Sequence, residues 1–543
     1  MGLAPKADQR WVERMPAREL IMAAHIDESV RPVGKGAYLA LAAALLGWMF
    51  DGAEMGVFSI VSRPAVKDLL GPDKEADIVQ WIGVITGLFL VGAATGGVLF
   101  GWLGDRIGRV RAMTISVLTY AVFTSLCGIV KTPIQLGVLR FIASLGMGGE
   151  WSLGVALVME IWPNRSRAFM AGLIGAAANV GYLMVGFVGL TLNSLLSQIQ
   201  TALQAMQLPD WMVSTLVGNS GWRIMMILGI FPALLTFFIR LFVPESTRWQ
   251  AEREKGHTSN WATADLLAVL GGAMGPVLMV YLYGWNETLG WEHTTPIRLT
   301  AIVGGVLLSV LGYTYPVMRY LQRYRSSAAV VAPDMFGRTM RRMALAACLS
   351  GVALLGTWGA TQQAPAWVAK MTEGTEIRNA KENVLIWLSV GAIIGTLAAA
   401  KLGDALGRRT TYFLLCVASL ASVFWLFFGH DSYSNRLLAS ACVAGICTAS
   451  FYGWLPLYLP ELFPTNVRAT GQGFGFNFGR ILAAVGSFQL GPLTNHFSQG
   501  LEIGPIRTPA GLPTACGLLS MIYLLGMILI WFAPETKGKP LPD

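Results

Sequence analysis

The strongest constraint on this chain is a succession of apolar runs, each roughly as long as the 20 residues a helix needs to cross a hydrocarbon layer. Runs near Tyr38 to Ser62, Ile78 to Trp102, Arg111 to Val130, Pro133 to Met159, Ser166 to Leu192 and Trp222 to Val243 make a first set of six. A second six lies near Met343 to Ala364, Val384 to Leu402, Thr410 to Phe428, Leu437 to Tyr458, Thr470 to Leu490 and Gly511 to Phe532. Two more, Ala262 to Tyr283 and Arg298 to Tyr320, sit between the sets, which predicts fourteen spanning helices. Charged residues are 13% of the chain and hydrophobic ones 54%, too little charge to coat soluble domains of this length. The expected class is an all-α membrane protein in contact with a lipid bilayer.

The net charge of +9 by itself suggests a polyanionic partner, but its placement argues for topology. Lys and Arg gather in alternate loops: the N-terminal tail, Arg106 to Arg111, Arg165 and Arg167, Arg248 to Lys255, Arg319 to Arg342, Lys401 to Arg409, Arg468, and Lys537 with Lys539. Cytoplasmic loops carry such an excess, so both termini are expected in the cytoplasm, with the chain in the plasma (cytoplasmic) membrane. No nucleic-acid partner is expected. Arg63, Lys67, Lys74, Lys370, Arg378 and Lys381 fall on the other side, near acids. The six cysteines lie in apolar runs without C-x-x-C spacing and the five histidines are scattered, so no disulfide framework, metal site or cofactor is indicated. Met1 to Lys35 is polar and lacks the apolar core of a signal peptide. The uncharged stretch Ser194 to Leu208 is expected to lie along the outer interface.

The chain repeats itself. Glu160-Ile-Trp-Pro163-Asn-Arg-Ser-Arg167-Ala168 recurs as Glu461-Leu-Phe-Pro464-Thr-Asn-Val-Arg468-Ala469. Gly104-Asp105-Arg106-Ile-Gly108-Arg109 recurs as Gly403-Asp404-Ala-Leu-Gly407-Arg408, and Pro244-Glu245-Ser246 as Pro534-Glu535-Thr536. A near-constant offset of about 300 residues means two six-helix halves of the same topology. The expected divisions are a tail over 1–36, a first half over 37–243, linkers with two extra helices over 244–341, a second half over 342–533 and a tail over 534–543. Parallel halves with polar groups near the midplane are the plan of an alternating-access carrier.

Gly101-x-x-x-Asp105-Arg106-x-Gly108-Arg109-x-Arg111 resembles the signature loop of the major facilitator superfamily, and Arg140-x-x-x-x-x-Gly146-x-Gly148-Gly149 resembles its second motif. The resemblance implies the major facilitator fold with two inserted helices and no enzyme chemistry. It further implies a conformational latch made by Asp105, Arg106, Arg109, Glu160 and Arg167 with Asp404, Arg408, Glu461 and Arg468, which holds the halves together in one state and releases in the other.

Charges inside the spans mark function, because each costs about 2.5–3.5 kcal/mol at the bilayer centre. Asp51 and Glu54 stand three residues apart on one helical face. Asp51-Gly-Ala-Glu54 resembles the D-G-x-D element of proton-coupled metabolite symporters, with Glu in place of the second Asp. Gly148-Gly149-Glu150-Trp151 and Glu160-x-Trp162-Pro163 resemble a pattern of sialate and other metabolite:proton symporters, a group that also has two extra central helices. The expected proton-coupling residues are Asp51, Glu54 and Glu150, with the proton as coupling ion. Arg480, one turn from Asn477, is the candidate anchor for a substrate carboxylate, since its planar fork binds carboxylates bidentately. For Arg140 two readings stand, a second anchor or a structural partner of a nearby acid. Glu150 is either that acid or part of the proton path. Asn179, Gln362, Gln363, Trp358 and Tyr452 complete the expected substrate site. The function expected is proton-coupled symport of a small organic acid, sialate-like or aromatic. Gln362-Gln363, Trp454 and the Pro-Glu-Ser and Pro-Glu-Thr ends resemble sugar-porter elements, which keeps a sugar porter as the alternative. A nutrient sensor that does not transport is a third reading.

Overall fold

The computed structural model describes residues 35–161, 167–232, 234, 263–284, 294–327, 335–463, 468–503, 506–539 and 542. The tail before Lys35, the Pro244-Glu245-Ser246 motif, Arg248, Arg253 and Lys255 lie outside them. Helices account for nearly all of the described chain. In the first half they are α1 (Lys35–Leu70), α2 (Ile78–Ile107), α3 (Arg109–Leu126), α4 (Pro133–Ile161), α5 (Arg167–Ala205) and α6 (Asp210–Ile227). Two inserted helices follow, α7 (Thr263–Gly284) and α8 (Thr294–Ser327). The second half comprises α9 (Met335–Trp358), α10 (Ala364–Met371), α11 (Ala380–Leu406), α12 (Arg408–Phe428), α13 (Asn435–Ala449), α14 (Phe451–Tyr458), α15 (Arg468–His496), α16 (Leu512–Ser520) and α17 (Ile522–Leu529). Among the described residues, nine helical segments are long and apolar enough to cross a membrane. One antiparallel pair of two-residue strands, β1 (Glu502–Ile503) and β2 (Ile506–Arg507), is the exception to all-helical structure.

The repeated loops have a shared backbone cause. Between α2 and α3 the chain turns on Gly108 at φ 108°, and between α11 and α12 on Gly407 at φ 92°. Side chains rarely adopt this conformation and glycine does so freely, so both copies of the motif keep glycine at the turn. Packing repeats as well. In the first half α1 lies on α5 and α2 on α4; in the second, α9 lies on α15 and α11 on α13. The halves meet along two seams, α2 against α15 and α5 against α11.

Three elements depart from the sequence-based expectation. The stretch expected along the outer interface instead prolongs α5, a 39-residue helix about 58 Å long. Nothing between Leu192 and Ala205 breaks a helix, so the helix continues past the apolar run. Before Trp222 the chain does break, with Asn219, Ser220 and Gly221 at positive φ, and the expected sixth span begins there. Its continuation to Val243 lies outside the described residues apart from a few positions. In the second half, the expected span Met343 to Ala364 is interrupted near its end at Gly359-Ala360, while α13 runs on into α14 through Ser450, whose backbone stays helical.

Candidate functional site

The interruption lies where the halves face one another. Ala360 takes φ −128° and ψ −81°, and a short turn over Thr361–Gln363 leads into α10, whose first turn contains Pro365. Proline has no N–H and suits that position. The break frees the Trp358 carbonyl, which accepts from Gln363 Nε2 at 2.9 Å. Broken helices of this kind are tolerated at membrane depth where they line a cavity. Here they do: Trp358, Thr361, Gln362 and Tyr452 line a cavity of about 100 Å³ whose opposite wall includes Asp51, Asn179 and Tyr182, with Arg480 also facing it.

Asp51 and Glu150 are 5% and 1% exposed. The carboxyl of Glu150 lies over Gly47, one turn before Asp51 on α1, where any side chain would overlap it. The two carboxyls lie beside each other, within electrostatic reach. Neither Glu150 oxygen nor Asp51 Oδ1 meets a separate donor among the described residues. Arg480 stands within electrostatic reach of Asp51, donates to Asn477 Oδ1 at 3.3 Å, and lies 5.0 Å over the Phe476 ring. Phe476 stacks on Trp151 of the first half, with centroids 3.8 Å apart and planes 7° from parallel. An aromatic pair between the halves thus borders the cavity beside Arg480.

Glu54 and Arg140 are placed elsewhere. They pair with each other, at 3% and 1% side-chain exposure, and Thr124 Oγ1 donates to Glu54 Oε1 at 2.9 Å. The Arg140 guanidinium lies between the rings of Phe58 and Phe89, at 4.7 and 4.5 Å. Neither side chain lines the cavity. Positions i and i+3 are about 60° apart around a helix, enough for Asp51 to face the cavity while Glu54 faces α3 and α4. The acid paired with Arg140 is therefore Glu54 and not Glu150. Gln363 is turned to backbone, Asn179 lines the cavity while donating to Gly175 O at 2.8 Å, and Asn477 is buried against Gly97 of α2.

Of the latch residues, Arg408, Asp404 and Glu461 come together. Arg408 Nε and Nη2 fork onto Glu461 at 3.0 and 2.8 Å, and Nη1 reaches Asp404 at 2.9 Å. Thr536 Oγ1 donates to Glu461 at 2.6 Å. The Glu535 carboxylate accepts from the backbone N–H groups of Arg408, Arg409, Thr536 and Lys537 at 3.0–3.1 Å. Burial works against its charge, but those four amides prevail and hold its pKa below the ordinary value. The Pro-Glu-Thr repeat thereby caps the start of α12. All these partners belong to the second half and the tail that follows it. Arg106 lies 5.2 Å over the Trp102 ring, and Arg109 opens α3. The side chains of Asp105, Glu160, Arg167 and Arg468 lie outside those described.

Sequence reasoning missed the polar contacts that join the halves on the face opposite the Gly108 and Gly407 turns. Arg63 and Lys67 of α1 donate to Glu373 at 2.7 and 2.6 Å, and Ser59 Oγ donates to Gln362 Oε1 at 3.0 Å. Asn193 of α5 donates to Asn379 and Glu382, each at 3.0 Å. Ser59, Arg63 and Lys67 stand four residues apart, one ridge of a helix. That spacing was the available signal, but the partners lie some 300 residues away.

The family model described as sugar (and other) transporter matches residues 38–268 and 338–541. The chain belongs to that family. The interval between the matched segments contains most of α7 and all of α8, as expected of an insertion. A putative metabolite transport protein of Haemophilus influenzae is 27% identical over 506 residues, covering 92% of this chain and 97% of that one. The cis,cis-muconate transport protein of Acinetobacter baylyi is 25% identical over 465 residues, covering 85% and 89%. A solved structure of the major facilitator superfamily proton:xylose symporter XylE, bound to 6-bromo-6-deoxy-D-glucose, matches with a TM-score of 0.62 at 18% identity over 94% of this chain and 98% of that one. At that identity the likeness concerns the fold, which is the major facilitator fold. This transporter is a multi-pass membrane protein that moves small molecules, and not an enzyme.

Proposed function

We propose that this transporter is a proton-coupled symporter of a small organic acid, sialate-like, aromatic or another carboxylated metabolite, working by alternating access through fourteen spans with both termini in the cytoplasm. The observation that carries the reading is the buried carboxyl of Asp51, which faces the same cavity as Arg480 and has the Glu150 carboxyl beside it. A carboxyl pair that shares one proton takes up or releases a second one as its surroundings change. A guanidinium nearby favours the carboxylate form and offers a fork to a substrate acid. Substrate acid and Asp51 then compete for Arg480, which links protonation of the pair to substrate binding. Glu54 and Arg140, closed on each other, serve as a structural pair in this scheme. The Arg408–Glu461–Asp404 cluster, with Asp105, Arg106, Arg109, Glu160, Arg167 and Arg468, is the proposed latch on the cytoplasmic side.

The Haemophilus and Acinetobacter relatives are a putative metabolite transport protein and a cis,cis-muconate transport protein, which supports a carboxylated substrate. For the sugar-porter alternative, Gln363 is turned to the Trp358 carbonyl, whereas Gln362, whose Oε1 accepts from Ser59, still lines the cavity. The deciding experiment is uptake into proteoliposomes loaded with small carboxylates. Asp51→Asn should abolish accumulation driven by a proton gradient while leaving exchange of internal for external substrate. Undiminished accumulation would refute the coupling assignment.

A further inference from the structure

We propose that the inserted helices α7 and α8 form a brace across one seam between the halves, pinned by the hydrogen bond between Tyr313 and Thr95. The inference goes beyond the transport reading and rests on it only for the idea that the halves rock.

The two helices are first joined to each other. Gly272 and Gly312 bring their backbones so close that a side chain at either would collide with the other helix. Ser309 Oγ also lies 3.3 Å from the Gly272 carbonyl. The hairpin moves as one piece. It packs on α2 of the first half through α7 and on α15 of the second through α8, which is the seam where those two helices meet. The equivalent seam, α5 against α11, carries no packed counterpart of the hairpin among the described residues.

Val269 and Tyr313, at 2% and 1% exposure, belong to the same buried cluster as residues of both halves. The contact has one polar point. Tyr313 Oη and Thr95 Oγ1 are 2.6 Å apart, and Thr95 Oγ1 already donates to the Val91 carbonyl at 2.9 Å. Tyr313 is therefore the donor. A phenol buried in an apolar seam has no water to replace that acceptor. Sliding α2 against α15 while the hairpin grips both must stretch or break the bond.

The pin also stands close to the chemistry. Two residues beyond Thr95, Gly97 is filled by Asn477 of α15, the residue that accepts from Arg480. A brace on this seam steadies the helix that carries the substrate anchor, without any contact of its own with the cavity.

The test is amide hydrogen exchange on the purified full chain, which needs no substrate and so stands apart from the transport assays. Tyr313→Phe and Thr95→Val each remove the bond with little change in shape. Each should raise exchange in peptides covering α2 and α15 about two- to tenfold and leave α5 and α11 unchanged. Thr95→Val strands the buried phenol and should have the larger effect, and the double variant should not exceed it, because no stranded donor remains. Equal exchange in all forms, a rise at both seams alike, or additive effects of the two substitutions would each overturn the brace.

Discussion

Arg140→Met should be far more damaging than its position away from the cavity suggests. The guanidinium is 1% exposed and pairs with a carboxylate that is 3% exposed. Without it, Glu54 keeps Thr124 as its donor, while its other oxygen, Oε2, already lacks a partner among the described residues. Breaking a buried pair from one side costs about 3–5 kcal/mol, because a charge remains without compensation. Glu54→Gln should cost less, about 1–3 kcal/mol, since an amide oxygen still accepts from Arg140 and Thr124. The cation also keeps the two ring faces of Phe58 and Phe89, worth about 2 kcal/mol when desolvated. The double variant removes both charges and should recover much of the loss. A double-mutant cycle, read by reversible unfolding of the full chain in mixed micelles, measures this directly. The reasoning fails if Arg140→Met costs under about 1 kcal/mol, or if the two substitutions add within about 0.5 kcal/mol.

The other predictions concern transport and closure. Arg480→Ala should weaken binding of the substrate acid by about 1.5–3 kcal/mol, roughly ten- to a hundredfold in Kd, with Arg480→Lys between it and the parent; an unchanged Kd by calorimetry would move the anchor elsewhere. Glu373 lies beyond the end of α10, and hydrogen bonds from Lys67 and Arg63 hold its carboxyl below the ordinary glutamate range. A depressed pKa means its contribution to closing this face is complete above the ordinary value of about 4.3 and is lost as pH falls through the lowered one. Glu373→Gln should make cavity tryptophans more open to iodide quenching, by a margin over the parent that stays constant from about pH 8 to 5 and shrinks only in stronger acid. A margin that changes around pH 6 to 7 would refute that assignment.

Most of the architecture was legible because its causes are local. A run of about 20 apolar residues spans a bilayer as a helix wherever it occurs. The Gly108 and Gly407 turns need glycine for reasons confined to one residue, so the duplicated loops showed in the sequence. The midspan charges showed too, since each is costly on its own account. Less legible was the break near Ala360, which cuts through an apolar run whose periodicity continues across it. The long α5 had the opposite cause: helix-forming residues carried the helix on after the hydrophobic signal ended.

By itself the sequence determined the helical membrane class, the duplication, the family motifs and the few charges placed among apolar neighbours. Tertiary structure alone decided which charges meet. Asp51 and Glu54 share a helical face in sequence, yet one turns to Glu150 and the cavity and the other to Arg140. Glu373 answers to Arg63 and Lys67 across about 300 residues, and Tyr313 of an inserted helix to Thr95. The reason is physical. Helical periodicity fixes the direction of a side chain within its own helix, whereas its partner depends on how distant helices rotate, cross and approach, and packing of the whole bundle sets that.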